Sequence, residues 1–197
     1  MINQLRPAFV ILLAMTLITG ILYPLAITGI AQLIFPHQAN GSLILKDGRA
    51  VGSELIGQQF NDPKYFWGRL SDTGDFPYNA FNAQTLTGAS GSNYGPMNPA
   101  LLKAVQDRVN VLKAADPTNT APIPVDLVTA SGSGLDPNVS VAAAIYQAPR
   151  VARQRGISVQ HVEQLIGQYT QGRQLGFLGE PRVNVLELNL ALDGLVR

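Results

Sequence analysis

Residues 8–35, AFVILLAMTLITGILYPLAITGIAQLIF, decide how this chain is read. They hold no formal charge, and after Arg6 the next Asp, Glu, Lys or Arg is Lys46. As a helix the stretch extends about 42 Å at ~1.5 Å per residue, against roughly 30 Å of bilayer hydrocarbon. One transmembrane helix fits, with length left for tilt or interfacial ends. The core helix of a globular domain rarely stays apolar for so long. A cleaved signal peptide is the rival reading, since Gly29-Ile30-Ala31 has small-x-small spacing. The apolar run before it exceeds the ~7–15 residues of a signal h-region, which favours an uncleaved anchor.

The flanks suggest an orientation. Arg6 and the amino terminus place positive charge on the leading tail, and no Lys or Arg follows the span until Lys46. The positive-inside bias then gives a cytoplasmic tail over residues 1–7, a transmembrane helix over 8–35 and an extracytoplasmic domain over 36–197. Inside the span, Thr16, Gly20, Pro24 and Thr28 follow one another at i+4 and make one less bulky face among Leu and Ile. Small residues let helices approach closely in lipid, so this row is a candidate partner contact; Gly and Pro are also common in membrane helices generally. A single span with no ionisable residue does not itself supply a charged ion pathway or a closed pore.

Beyond the span the composition is that of an ordinary folded domain. Apart from Arg6, all of the 14 basic and 13 acidic residues lie at or after Lys46, and the net charge of +1 offers no basic stripe for nucleic acid. The absence of cysteine excludes disulfides, thiolate zinc sites and thiol catalysis. Two histidines, His37 and His161, far apart in sequence, leave little for a metal site or a His-based triad.

The expected fold class is α+β: a single N-terminal membrane helix followed by a small α+β domain. Asn40-Gly41 and Asp47-Gly48 flank Leu43-Ile44-Leu45 and suggest a hairpin continuing through Ala50-Val51. From Gly68 to Pro99 the chain is rich in Gly, Asn, Asp, Ser and Pro, yet around and within it stand Tyr65, Phe66, Trp67, Phe76, Tyr78, Phe81 and Tyr94. That many aromatics predicts packed, irregular loops. Asn98-Pro99 starts a helix with the stripe Leu102, Val105, Val109 and Leu112, ending before Asp116-Pro117. A short strand is expected at Val125–Thr129 and a turn at Ser131–Gly134. The next helix is capped by Asp136 or Ser140 and is ended or kinked at Pro149. A further helix starts at Ser158, with Val159, Val162, Ile166 and Tyr169 on one face and Gly172 as its stop. Alternating Leu186, Leu188, Leu190 and Leu192 suggest a strand, with a helix from Asn184 as the alternative.

Several motifs come near to known chemistry and miss it. Ser90 and Ser131 sit in Gly-rich turns, but G-x-S-x-G fails at both, because position 92 is Ser after Ser90, and positions 129 and 133 around Ser131 are Thr and Ser. Leu70–Asp75 resembles the phosphorylated D-K-T-G-T segment of P-type ATPases without its Lys and final Thr, and reads as an Asx-type turn. No G-x-x-x-x-G-K-[ST] is present. Residues 88–95, GASGSNYG, can in principle offer backbone N–H groups to an anion, although tight turning is the simpler account. Arg150 and Arg153 lie three apart near Pro149, where arginines commonly cap loops or form surface ion pairs.

Taken in order, the blocks Arg6-Pro7, Tyr65–Arg69 (YFWGR), Ser90–Pro96 (SGSNYGP), Pro124–Pro137 (PVDLVTASGSGLDP), Tyr146–Arg153 (YQAPRVAR) and Leu178–Leu186 (LGEPRVNVL) closely resemble the KdpC family, the C subunit of the Kdp potassium-transporting ATPase. Tyr94 stands where many members have Leu. The resemblance implies a non-catalytic subunit of a heteromeric pump in the bacterial cytoplasmic membrane. Its implied partners are a channel-like, potassium-translocating subunit (KdpA) and a catalytic P-type subunit (KdpB), and these would handle potassium and ATP, with no cofactor bound by this chain. The family also brings the idea that this subunit aids nucleotide binding through a segment loosely similar to the ABC-transporter signature, here Leu86–Gly91. An extracytoplasmic domain cannot reach ATP in the cytoplasm, so the orientation favours a role in assembly and gating.

On this reading the candidate functional loops are Ser90, Gly91, Ser92, Asn93 and Gly95, Ser131, Gly132, Ser133 and Gly134, together with Asp136, Arg150 and Arg153. Two other readings stay open: an anchored small-ligand binding module using Asp126, Asp136, Arg150 and Arg153, and an anchored hydrolase using Ser90 or Ser131.

Overall fold

The computed structural model describes residues 4–71 and 91–194, and the chain divides into two compact units, Met1–Leu43 and Ile44–Arg197. The first unit is dominated by one apolar helix, Leu5–Ile34, none of whose residues is buried. It comprises α1 (Leu5–Leu17), a π-helical turn (Ile18–Leu22) and α2 (Tyr23–Ile34). Pro24 has no N–H to give the carbonyl of Gly20. Just before it the ladder widens, and the Tyr23 N–H reaches the carbonyl of Ile18, five residues back. A four-residue helix, α3 (Pro36–Ala39), follows.

The second unit has the expected α+β character. Strands β1 (Leu43–Lys46) and β2 (Arg49–Ser53) form the predicted hairpin. Asp47 and Gly48 both have positive φ, 50° and 74°, as a two-residue turn matched to strand twist requires. Helix α4 (Pro99–Ala115) begins at Asn98, whose side chain accepts from the Ala100 N–H. Its inward face differs from the expected stripe at one end: Leu112 is buried, Leu102 is exposed, and Arg108 is buried instead. The Val125–Thr129 region is a 3-10 turn over Val125–Leu127 rather than a strand, and Ala130 alone makes a parallel bridge to Leu70.

A three-stranded antiparallel sheet in the order β3-β5-β4 joins β3 (Asn138–Ser140), β5 (Arg182–Asn184) and β4 (Thr170–Gln171). Val139 faces Val183 in register, and both are buried. Ser140, not Asp136, caps α5 (Val141–Arg155) by accepting from the Ala143 N–H. Pro149 does not end α5. Ala148, Arg150, Val151 and Ala152 around it are all buried, and their packing carries the helix on to Gly156, where left-handed backbone closes it. Helix α6 (Val159–Gln168) is capped by Ser158, buries Val162 and Ile166, and stops before Thr170-Gln171 turns into β4, ahead of Gly172. The C-terminal alternation is helical: α7 (Val185–Leu192) starts at Asn184, whose Oδ1 accepts from the N–H groups of Leu186 and Glu187. Val185, Leu186, Leu188, Asn189 and Leu190 are all buried, so burial on several sides replaces a one-sided stripe.

Candidate functional site

The irregular segment Tyr65–Ser71 runs through the second unit, and groups from other elements hold it residue by residue. Asp62 first turns the chain, its carboxylate accepting from the Lys64 N–H, a bond that holds its pKa below the usual carboxylate value. Tyr65 donates its hydroxyl to Asp193, and the acceptor raises the phenol pKa, with burial adding to it. Arg155 bonds Asp193 and the Lys64 carbonyl and lies 4.8 Å from the Tyr65 ring centre. Phe66 gives its N–H to Asn189 Oδ1 at 2.8 Å and takes Nδ2–H of the same side chain on its carbonyl at 2.9 Å. Gln147 treats Trp67 in the same way, at 2.9 and 3.1 Å. Two side-chain amides thus stand in for a neighbouring strand, satisfying backbone groups that burial would otherwise leave orphaned.

Two guanidinium groups complete the frame. Arg150 lies 4.3 Å and Arg108 5.3 Å from the Trp67 ring centre. Arg150 donates to Gln147 Oε1 and to the carbonyls of Pro63 and Tyr65. Arg108 donates to the carbonyls of Leu127 and Gly68. Further along, Arg69 bonds Asp136 and the Ala130 carbonyl. The Leu70 carbonyl then accepts from the Ser131 N–H at 2.8 Å, and Ser71 Oγ donates to the Gly134 carbonyl at 2.9 Å.

The Gly-Ser turns meet here. Gly91 packs so tightly on Gly132 that a Cβ built on it would lie 2.8 Å from the Gly132 carbonyl oxygen. In the second turn Ser131 Oγ shares a hydrogen with Ser133 Oγ and accepts from the Gly134 N–H. Gly134 has φ 71°, open to glycine. Asn93, at φ 53°, returns its side chain to the Gly91 carbonyl. Beside these turns a cavity of about 300 Å³ is lined by Leu70, Ser92, Tyr94, Val105 and Arg108 among others. Gly91, Ser92, Ser131, Gly132, Ser133, Gly134 and Asp136 are thus gathered along one segment. Gly95 begins the approach to α4, its carbonyl accepting from the Asn98 N–H. Ser90, with Phe76, Tyr78 and Phe81 and nearly all of Leu86–Gly91, lies outside the described residues.

The four side chains of the ligand-site reading serve separate contacts. Asp126 accepts from the N–H and hydroxyl of Ser140, Asp136 holds Arg69, Arg150 is buried on Trp67, and Arg153 pairs with Asp116 at 2.6 Å. The hydroxyl of Ser131 is buried and committed to its turn. Sequence reasoning passed over Arg108, Gln147 and Asn189. The signal for Asn189 was legible: one amide inside the apolar run VLELNLAL, where a buried polar group must have a partner.

In the apolar helix Leu5–Ile34 the π-turn changes the row of small residues. From Thr16 to Thr28, an unbroken α-helix would drift about 120° beyond whole turns at 3.6 residues per turn. The extra residue of a π-turn sets the remainder back by about 100°. Thr16 and Thr28 therefore come within about 20° of one face, with Pro24 close to the same line and Gly20 inside the turn.

The family model for the K+-transporting ATPase c chain matches residues 5–194. The chain belongs to the KdpC family. A potassium-transporting ATPase KdpC subunit of Methylococcus capsulatus is 64% identical over 99% of this chain and 100% of the relative. KdpC subunits of Polaromonas naphthalenivorans and Herpetosiphon aurantiacus are each 61% identical, over 98% and 95% of this chain and 95% and 94% of theirs. The KdpC match covers the apolar helix, the braced segment and both Gly-Ser turns together. It makes this chain a subunit of a potassium-transporting ATPase.

Proposed function

We propose that this chain is a non-catalytic accessory subunit of the ATP-driven potassium pump, required for its assembly and activity. It anchors through the Thr16, Gly20, Pro24 and Thr28 face to the channel-like subunit and covers that subunit's external potassium entrance with its folded domain. The family match from residue 5 to residue 194 carries this reading. Two features support the division of labour. The helix Leu5–Ile34 has a single charge, Arg6, at its start, which suits an anchor and not an ion path. The braced segment spends its polar groups on holding shape, as a docking scaffold does. Potassium translocation and ATP hydrolysis then belong to KdpA and KdpB. The domain lies outside the cytoplasmic membrane with the N-terminus inside, so any effect on nucleotide affinity passes through the membrane subunits.

Two measurements test this. Potassium-stimulated ATPase activity of the purified pump should collapse when this chain is omitted and return when it is added back; unchanged activity without it refutes the role. The natural sequence has no cysteine, so Thr120→Cys gives one labelling site in the second unit. In intact cells an impermeant maleimide should label it, and protection by the cytoplasmic membrane overturns the orientation.

A further inference from the structure

Between β4 and β5 the chain forms a small finger, and its apolar side chains point away from the core. Gln174 and Leu178 exchange both backbone hydrogen bonds, each 2.9 Å, while the N–H groups of Gly176 and Phe177 go to the carbonyls of Arg173 and Gln174. Arg173 closes the base by donating to both carboxylate oxygens of Glu180, at 2.9 and 2.7 Å. At the tip Leu175 is 82% exposed, Phe177 69% and Leu178 48%. Leu175 also holds φ +53°, a left-handed conformation that bulky L residues seldom adopt. Strained backbone that presents an apolar side chain to water contributes nothing to the fold's own core, and such strain gathers at functional loops.

We infer that Gln174–Leu178 is a protein-docking finger that seats Leu175 and Phe177 in an uncharged apolar recess on a membrane subunit of the pump. This rests on the reading that the chain works inside that pump. The charge pattern selects a protein recess over a lipid surface. Between Thr170 and Pro181 the only charged groups are Arg173 and Glu180, and they neutralise each other. Loops that enter anionic bilayers carry unpaired Lys or Arg to meet headgroups. Internal pairing of the tip's backbone suits a dry pocket, because those groups need nothing from the partner. The rigid base lowers the ordering entropy lost on docking.

The test places a photo-crosslinking residue at position 177 of the full-length chain in the assembled pump, with position 160, exposed on α6, as control. Position 177 should crosslink to a pump subunit and give a protein–protein adduct, and position 160 should not. Adducts with lipid alone, or none at position 177, overturn the inference. As a second arm, the double variant L175S/F177S should leave the pump at least tenfold faster on dilution in detergent, while its own melting midpoint stays at the wild-type value. Equal dissociation rates overturn the inference as well. If the unaltered chain fails to co-purify with any membrane subunit, the proposed function fails first. Co-purification without a crosslink at position 177 sinks only the finger.

Discussion

Asn189 closes a two-bond pair with the backbone of Phe66, 2.8 Å to its N–H and 2.9 Å to its carbonyl, from 123 residues away in sequence. Both residues are buried, so the amide is the substitute for solvent on both groups. Asn189→Leu keeps the size and removes both partners. We expect a loss of about 2–4 kcal/mol, the penalty for orphaning two buried backbone groups. Urea unfolding followed by the fluorescence of Trp67, the chain's single tryptophan, reads it directly; wild-type stability would refute the substitute-strand role.

Arg150 bonds two carbonyls and Gln147 while stacking on Trp67, a task that uses the planar fork of the guanidinium. Arg150→Lys should therefore fail to restore what Arg150→Met loses, each being destabilised by about 2–3 kcal/mol. Trp67 emission should also shift in both. A lysine variant of native stability and spectrum would show that charge alone suffices.

Gly91→Ala tests the contact between the two Gly-Ser turns. The new methyl meets a backbone carbonyl at 2.8 Å, and a backbone atom cannot swing aside like a side-chain tip. A cost of about 1–3 kcal/mol follows, typical of overpacking. Gly132→Ala is the control, since a Cβ there has nothing within 4 Å. Thermal melts should separate the two variants; equal midpoints would mean that the turns are not locked together.

Glu187, near the start of α7, has its carboxyl pKa raised by burial first and by the carboxylate of Glu54 second. A folded-state pKa above the unfolded one means that the native state binds more protons between the two values. Stability from this group is therefore greatest at acidic pH and falls as pH rises through the folded value. Glu187→Gln should melt higher than wild type at pH 7, with the gap closing toward pH 4. A gap that widens on acidification would reverse the sign.

The re-phased row of small residues allows a comparison within the apolar helix that we propose as the anchor. Thr28→Leu should lower recovery of the pump's membrane subunits with this chain severalfold, by adding bulk where helices meet. Leu13→Ile conserves bulk and serves as the control. Equal recovery of both variants would place the partner on another face.

The long apolar helix was legible in the sequence because its signal is local: an apolar run over residues 8–35 needs no tertiary contact to be read. The caps at Asn98 and Ser158 and the Asp47-Gly48 turn were legible for the same reason, since each acts within three residues of itself. The expected strand at Val125 failed because β-branched residues fit a turn equally well once Asp126 reaches the cap residue Ser140. Of the two outcomes expected at Pro149, the helix end did not occur, because buried neighbours outweighed one lost bond.

By itself, then, the sequence determined one long apolar helix with a charge-free run over residues 8–35, an α+β domain after it and membership in a pump-subunit family, all carried by composition, periodicity and motif order. Only the tertiary structure decided that Asn189, Gln147, Arg108 and Arg150 bind one irregular segment, and that Gly91 rests on Gly132. The partners in those contacts lie up to 123 residues apart. A buried backbone group must find some donor or acceptor, but which one it finds is set by how the helices pack around it, and no spacing along the chain records that.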